Sequence, residues 1–316
     1  MTKFLIALCL FPLISFAQTS LEKAKSLYDT KKYTEAEKVL KSVSEKSTDY
    51  AAARYYLGRV AFDKKDYDAA SDYFEEATKA NGKESEYYQW LGDTYGSIAQ
   101  NANVFKQGLL APKMKNAWEH AIALDAKNIN ARNSLIQFYL QAPGFMGGSI
   151  DKARETAKQI LAIKPAEGHR QMGNVLAYEK KNTEAEKEYL EMVKADPTYV
   201  SVLANFYVKQ KKYSEAFNLF EEALKKNPDD FVSIYQIGKT AAISGQKLEH
   251  GEDCLKKYLA YQPKPNEPSH GGANMRLGQI KEKKGSKSEA KKYFETALKL
   301  DSSLKEAKEG LERCSK

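Results

Sequence analysis

The sequence predicts an all-α fold, a solenoid of about eight antiparallel helix pairs closed by one last helix. Three observations carry that prediction. Prolines recur at a nearly constant interval: Pro165, Pro197, Pro228 and Pro263 are 32, 31 and 35 residues apart, each behind an apolar helical run. A first phrase recurs with them. Lys32-Tyr33-Thr34-Glu35-Ala36, Asp66-Tyr67-Asp68-Ala69-Ala70 and Lys212-Tyr213-Ser214-Glu215-Ala216 each give a turn residue, an aromatic, two spacers and a small residue. A second phrase precedes it in register: Tyr56-Leu57-Gly58, Trp90-Leu91-Gly92, Gln171-Met172-Gly173, Gln236-Ile237-Gly238 and Arg276-Leu277-Gly278. A fixed period of this length marks stacked supersecondary units.

Each phrase predicts one helix of a pair. Behind the small residue comes an apolar residue at +4 and a small or apolar one at +7 (Leu40 and Val43, Phe74 and Ala77, Phe220 and Ala223), the stripe of an amphipathic helix. A glycine inside the preceding helix costs about 1 kcal/mol relative to alanine, so its recurrence demands a packing reason. Close approach of two helices supplies one, with Ala36, Ala70, Ala185, Ala216 and Ala290 matching it from the second helix.

Taken in chain order, residues 1–17 read as a cleavable export signal. Lys3 gives the positive start, an apolar stretch follows, and Ser15-Phe16-Ala17 offers small residues at a cleavage site. The stretch is too short for a bilayer anchor. Cys9 lacks the Leu-small-small approach of a lipidation site. Helix pairs then follow at about 18–50, 51–84, 85–128, 129–165, 166–196, 197–230, 231–265 and 271–302, and a segment at 304–314 with Ala307 and Leu311 reads as a capping helix. As domains this gives a signal (1–17), an array of seven units (18–265), a linker with the last unit (266–302) and the cap (303–316). Three stretches depart from the period: about ten extra residues at 98–113, the Pro143-Gly144-Phe145-Met146-Gly147-Gly148 loop, and a Pro/Gly-rich linker over 262–272 expected to be flexible.

These phrases resemble the tetratricopeptide repeat (TPR) family, whose pattern W-x2-L-G-x2-Y, A-x3-F-x2-A, P is matched by Tyr88-Leu91-Gly92-Tyr95, by Ala216-Phe220-Ala223-Pro228, and by Gly278, Ala290, Phe294 and Ala297. The loop at 142–148 is similar to one in some exported bacterial TPR proteins. The resemblance implies a right-handed superhelix whose first helices line a concave groove for a peptide. Transferring the groove positions gives Tyr55 and Arg59; Gln89 and Asp93; Asn133 and Gln137; Arg170, Asn174 and Tyr178; Ser201, Asn205 and Lys209; Tyr235 and Lys239; and Met275, Gln279 and Lys283. Amides there would hold a peptide backbone whatever its sequence, and tyrosines would supply contact area. The basic carboxylate clamp of some TPR domains is not matched, because Val202, Val232 and Gln236 stand where its residues belong.

Sharper chemistry finds little support. The chain of 316 residues has 42% hydrophobic residues, 11% aromatics and a formal charge of +8, which becomes +8 − 1 = +7 once Lys3 leaves with the signal. Lysine is interspersed with glutamate, which suits solubility and i, i+4 pairing better than a nucleic-acid patch. His120 sits beside Trp118 on a second helix, and His169, His250 and His270 fall in different units with no second histidine at i, i+4, so no metal or cofactor is expected. Cys254 and Cys314 are expected to be unpaired thiols. No H-E-x-x-H, G-x-S-x-G or phosphate-loop motif occurs. The reading is a non-enzymatic scaffold or adaptor of the cell envelope that captures a protein or peptide, binds no nucleic acid, and is not stably inserted in the membrane after signal cleavage. Export to the periplasm or the exterior is expected. A second reading makes the chain an accessory to an envelope assembly or hydrolase, with the Pro/Gly loops contributing to a site.

Overall fold

The computed structural model describes residues 20–315. The signal reading of residues 1–17 lies outside them. The described residues form seventeen α-helices and two single 3-10 turns, with no strand. By contacts the chain divides into two compact units, Met1–Ala157 and Lys158–Lys316, the division falling within the helix Ile150–Ile163.

In the first unit, α1 (Ser20–Asp29) packs on α2 (Tyr33–Lys41), α3 (Tyr50–Asp63) on α4 (Tyr67–Ala80), and α5 (Ser85–Gln100) on α6 (Val104–Leu124). Next come α7 (Ile129–Gln141), the 3-10 turn Gly144–Met146 and α8 (Ile150–Ile163). In the second unit, α9 (Pro165–Tyr178) pairs with α10 (Asn182–Ala195), α11 (Val200–Lys209) with α12 (Tyr213–Lys226), α13 (Phe231–Ser244) with α14 (Leu248–Leu259), and α15 (His270–Lys283) with α16 (Lys287–Leu300). The last helix, α17 (Lys305–Ser315), covers α16, burying Ala307 against a cluster of Met275, Ala290, Phe294 and Ala297.

The recurrent glycine has a definite partner. A Cβ on Gly58 would lie 2.7 Å from the Phe74 ring, one on Gly173 2.7 Å from Tyr189, and one on Gly278 2.7 Å from Phe294. Each ring comes from the second helix of the same pair, four residues after its buried alanine, and Phe74 and Phe294 are fully buried. The glycine is therefore a slot for a ring. Trp118 fills the same slot at Gly92, and Leu255 at Gly238.

The turn inside the hairpins is also repeated. Lys31, Lys65, Lys180 and Lys211 have positive φ (58°, 64°, 61° and 58°), and Gly285 holds the same place with φ 80°. At Lys65 the amide donates to the Phe62 carbonyl (2.8 Å) and the next amide, of Asp66, donates back to Ala61 (2.9 Å). This paired 5→2 and 6→1 arrangement ends a helix in the left-handed region, where glycine is usual and a side chain is strained.

The three irregular stretches are all ordered. The extra residues at 98–113 lengthen the third hairpin: α6 has 21 residues where α4 has 14. In the 142–148 loop Gly147 has φ 103°, and a Cβ on Gly148 would collide with the Ala142 carbonyl, so both glycines are required. The linker before α15 is pinned, contrary to the flexibility expected of it. Tyr258 donates to the Pro268 carbonyl (2.6 Å), Tyr261 donates to Glu267 (2.8 Å) and stacks on Phe231 at 4.0 Å, and a ring nitrogen of His270 meets the Tyr261 carbonyl (2.7 Å). Gly271 and Gly272 belong to α15, which Ser269 caps through the Gly272 amide.

Across this linker α14 and α15 share an ionic hub. Glu252 is 5% exposed and meets Lys256 (2.7 Å) on its own helix and Lys281 (2.8 Å) and Lys284 (3.0 Å) on α15. Burial pushes its carboxyl up, but the three lysines outweigh that and hold it down at about 2.

Two measurements test this account. Lys65→Gly should raise the urea midpoint, stabilising by about 0.5–1 kcal/mol, and Gly285→Ala should lower it by a similar amount. For Glu252, whose folded value lies below its unfolded one of about 4.3, the stabilisation is complete above about pH 4.5 and fades as pH falls toward 2. Glu252→Gln should therefore cost about 2–3 kcal/mol at pH 7, and the gap to the unchanged protein should narrow steadily in urea melts taken from pH 5 to pH 2.

Candidate partner-binding faces

The residues transferred to a groove all sit on the first helix of a pair, and three of them meet the side chain that fills the glycine slot: the Tyr55 ring lies 5.9 Å from the Phe74 ring, Asp93 accepts from Trp118 and Asn174 accepts from Tyr189. In the first unit they form an aromatic and ionic cluster. Arg59 lies 4.0 Å over the Trp90 ring and donates to the Tyr55 hydroxyl (2.7 Å), which donates to Glu86 (2.5 Å). Tyr55 stacks on Tyr87 with ring centroids 4.9 Å apart. Only 4% of Tyr55 is exposed, and burial drives its hydroxyl far above the usual tyrosine range. Tyr28 and Tyr33 both donate to Asp63 (2.8 and 3.1 Å), and Arg59 also faces the Tyr28 ring at 5.3 Å. Tyr55 thus works as a spacer inside the cluster rather than as an open contact surface.

Further along this unit, Asp93 accepts hydrogen bonds from the Trp118 indole (2.8 Å), Ser134 (2.8 Å) and Gln89 (3.4 Å). Burial raises its carboxyl and these donors partly offset the rise. Gln89 is buried, Asn133 is half-buried, and Gln137 is exposed.

The second unit uses a different network. Arg170 grips Glu167 with two guanidinium nitrogens (2.8 and 2.5 Å), and the buried Glu167 also accepts from Gln171 (3.0 Å) and Tyr199 (3.2 Å). Asn174 is occupied at both ends: its amide nitrogen donates to Gln171 (3.1 Å) and its oxygen accepts from Tyr189 (2.8 Å). Tyr189 is the residue that fills the Gly173 slot, so Asn174 ties the face of α9 to its core. Tyr178 is 54% exposed.

Beyond it the face becomes cationic. Lys209 on α11 is exposed and Lys239 on α13 is half-buried; among the described residues neither has a carboxylate within 4.0 Å. Burial lowers the Lys239 ammonium, and repulsion from Arg276 lowers it further; the Glu306 carboxylate offsets part of this and Lys209 adds to it. Arg276, missed at the sequence level, reaches Glu306 of α17 (2.7 Å), which also accepts from Gln279 (2.9 Å). Asn205 is half-buried, Tyr235 is buried, and Gly272 leaves room for its hydroxyl.

The other candidates are held structurally. His120 stacks on Tyr88 with ring centroids 4.1 Å apart, His169 meets Glu188 at 2.7 Å, and His250 lies 4.0 Å from the Cys254 sulfur. Cys254 and Cys314 are both free, and burial pushes the Cys254 thiol up to about 11. Among the described residues no group of three or more His, Cys, Asp or Glu is placed to hold a metal ion. No described helix is long and apolar enough to cross a membrane.

Tetratricopeptide repeat family models match residues 27–91, 201–230 and 272–304. A solved tetratricopeptide repeat protein from Parabacteroides merdae ATCC 43184 is similar over 94% of this chain and 98% of its own, at 15% identity and a TM-score of 0.55. The C-terminal part of a TPR repeat-containing protein from Cytophaga hutchinsonii covers 92% of this chain and 99% of its own, at 14% identity and a TM-score of 0.48. No curated protein matches the sequence. The similarity of the first structure concerns the fold.

Two of the three asparagines transferred to the groove should behave differently. Asn174→Ala breaks two internal hydrogen bonds and should destabilise by about 1–2 kcal/mol in urea unfolding. Asn205→Ala should stay within about 0.5 kcal/mol of the unchanged protein.

Proposed function

We propose that the chain, a tetratricopeptide repeat protein, is a non-enzymatic scaffold that captures a protein or peptide partner on the first-helix face of its second unit. The observation that carries this reading is the pair Lys209 and Lys239, two cations on successive first helices with no carboxylate within 4.0 Å among the described residues. Burial and repulsion from Arg276 both disfavour the charged form of Lys239, and Glu306 offsets them in part. An acidic side chain from a partner would relieve both, and Asn205 and Lys209 lie on the neighbouring α11 to meet the same segment. Charge complementarity of this kind selects partners and speeds encounter more than it adds raw affinity.

Tyr178 supplies exposed aromatic area on α9 in the same unit. In the first unit Arg59, Asn133 and Gln137 line the corresponding faces, with Tyr55 and Asp93 bracing them from beneath. A binding role is favoured over catalysis by the state of the carboxylates. Glu86 and Asp93 are held by tyrosine, tryptophan, serine and amide donors, and Glu167 and Glu306 by arginine. A carboxylate so engaged is poorly disposed to transfer protons. Residues 1–17 support an envelope location, where such a scaffold would hold a component of a larger assembly.

The test is a peptide array of graded net charge, probed with the full chain and with Lys209→Glu/Lys239→Glu. The unchanged protein should retain acidic peptides at low salt and release them progressively as salt rises. The charge-reversed protein should lose them by at least about tenfold, roughly 1.4 kcal/mol. Equal retention by both proteins would remove these lysines from the binding face and leave the fold untouched.

A further inference from the structure

We infer that the tip of the third hairpin, together with the 143–148 loop, is a docking surface for an anionic lipid bilayer. This is independent of the peptide-binding face and lies entirely within the first unit. The two irregular stretches at 98–113 and 142–148, separate in sequence, meet in space: the Met146 methyl would lie 3.8 Å from a Cβ on Gly108, and an open hollow of about 460 Å3 between them is lined by Pro112, Lys115 and Phe145 among others. Around it four large apolar side chains face solvent. Val104 is 66% exposed, Phe105 78%, Leu109 58% and Phe145 83%. An apolar group of this size on a soluble chain marks an interaction surface.

The charge around the patch says what covers it. Residues 94–118 contain Lys106, Lys113 and Lys115 and no Asp or Glu; residues 126–150 also hold no acid, while their two bases, Lys127 and the buried Arg132, lie at the far end of α7 from the loop. In a chain with 42 acidic residues, both stretches that build the patch are free of them. On α6 the exposed Lys106 and Lys113 flank Phe105 and Leu109 along one side; Lys115, on the other, is half-buried and paired with Glu119 at 3.1 Å. Lys106 has only a long 3.9 Å pairing with Asp68, and Lys113 lies 5.3 Å over the Tyr95 ring.

Apolar residues bordered by lysines on a polar helix form the pattern that sinks a few ångströms into the boundary between headgroups and acyl chains. The geometry suits it. The seven residues by which α6 exceeds α4 add two turns, about 10 Å, to the hairpin. Phe105 is thereby carried near the tip, and Phe145 stands beside α6 at Pro112 and Lys115. Docking of this kind is peripheral and reversible, with no helix crossing the membrane.

The experiment is co-sedimentation of the full chain with vesicles of phosphatidylethanolamine and phosphatidylglycerol, compared with vesicles of phosphatidylcholine alone. The unchanged protein should bind the anionic vesicles and be released by salt. Phe105→Ser/Phe145→Ser and Lys106→Glu/Lys113→Glu should each bind them at least about tenfold less, with melting curves unchanged because all four positions are exposed. A Phe145→Trp protein should show blue-shifted emission with anionic vesicles and none with phosphatidylcholine. Equal binding by the variants and the unchanged protein would overturn the assignment, since residues outside the patch would then account for it. So would an unshifted Phe145→Trp spectrum, or the finding that the phenylalanine variants abolish a dimer detected by light scattering, which would make a second copy the occupant.

Discussion

The fold depends on one packing relation repeated down the chain: a ring from the second helix of a hairpin seated where the first helix has no side chain. Phe74 on Gly58, Tyr189 on Gly173 and Phe294 on Gly278 are three instances at the same distance. The relation explains why a residue unfavourable to helices recurs inside them. The entropy cost of glycine is set against burial of a whole ring, which removes far more apolar area from water than a methyl group could. It also fixes the pitch of the hairpin, because the ring and the alanine four residues earlier must both reach the neighbouring helix.

Around these slots the first helices carry polar groups, and these are arranged less openly than amide-rich sequence suggests. Arg59, Tyr55 and Glu86 are bonded to one another, as are Arg170, Glu167, Gln171, Asn174 and Tyr189. Buried polar groups must find partners, and on a face of tyrosines, amides and carboxylates they find them internally. Lys209 and Lys239 stand outside these networks, with no carboxylate within 4.0 Å among the described residues. The two units thus present different chemistry: an arginine braced by aromatic rings in the first, and in the second these two lysines, Lys209 and Lys239.

The departures from the period show how a repeat array carries local additions. A hairpin contacts chiefly its neighbours, so lengthening one at its tip leaves the shared core intact. The extension in α6 and the 143–148 loop both use this freedom, and both bring apolar residues to the surface. The pinned linker before α15 works in the opposite sense: the stacked Phe231 and Tyr261 rings and the Glu252 hub hold its two flanking hairpins to one another.

Helix pairing, period and the residues of the core were legible in the sequence because they depend on spacing along one chain: Ala36, Leu40 and Phe74 declare their face through the 3.6-residue turn alone. The candidate faces were legible only as positions. Whether Asn174 is free or bonded depends on Tyr189, fifteen residues away on another helix, and whether Tyr55 is open or buried depends on Tyr87 in the next hairpin. Glu306, which neutralises Arg276, comes from the capping helix, thirty residues on. The ordering of the proline-rich linker was hidden for the same reason, since the groups that anchor it belong to other elements. Local periodicity determined the architecture; long-range partners, invisible to spacing, decided which side chains are left with capacity to bind.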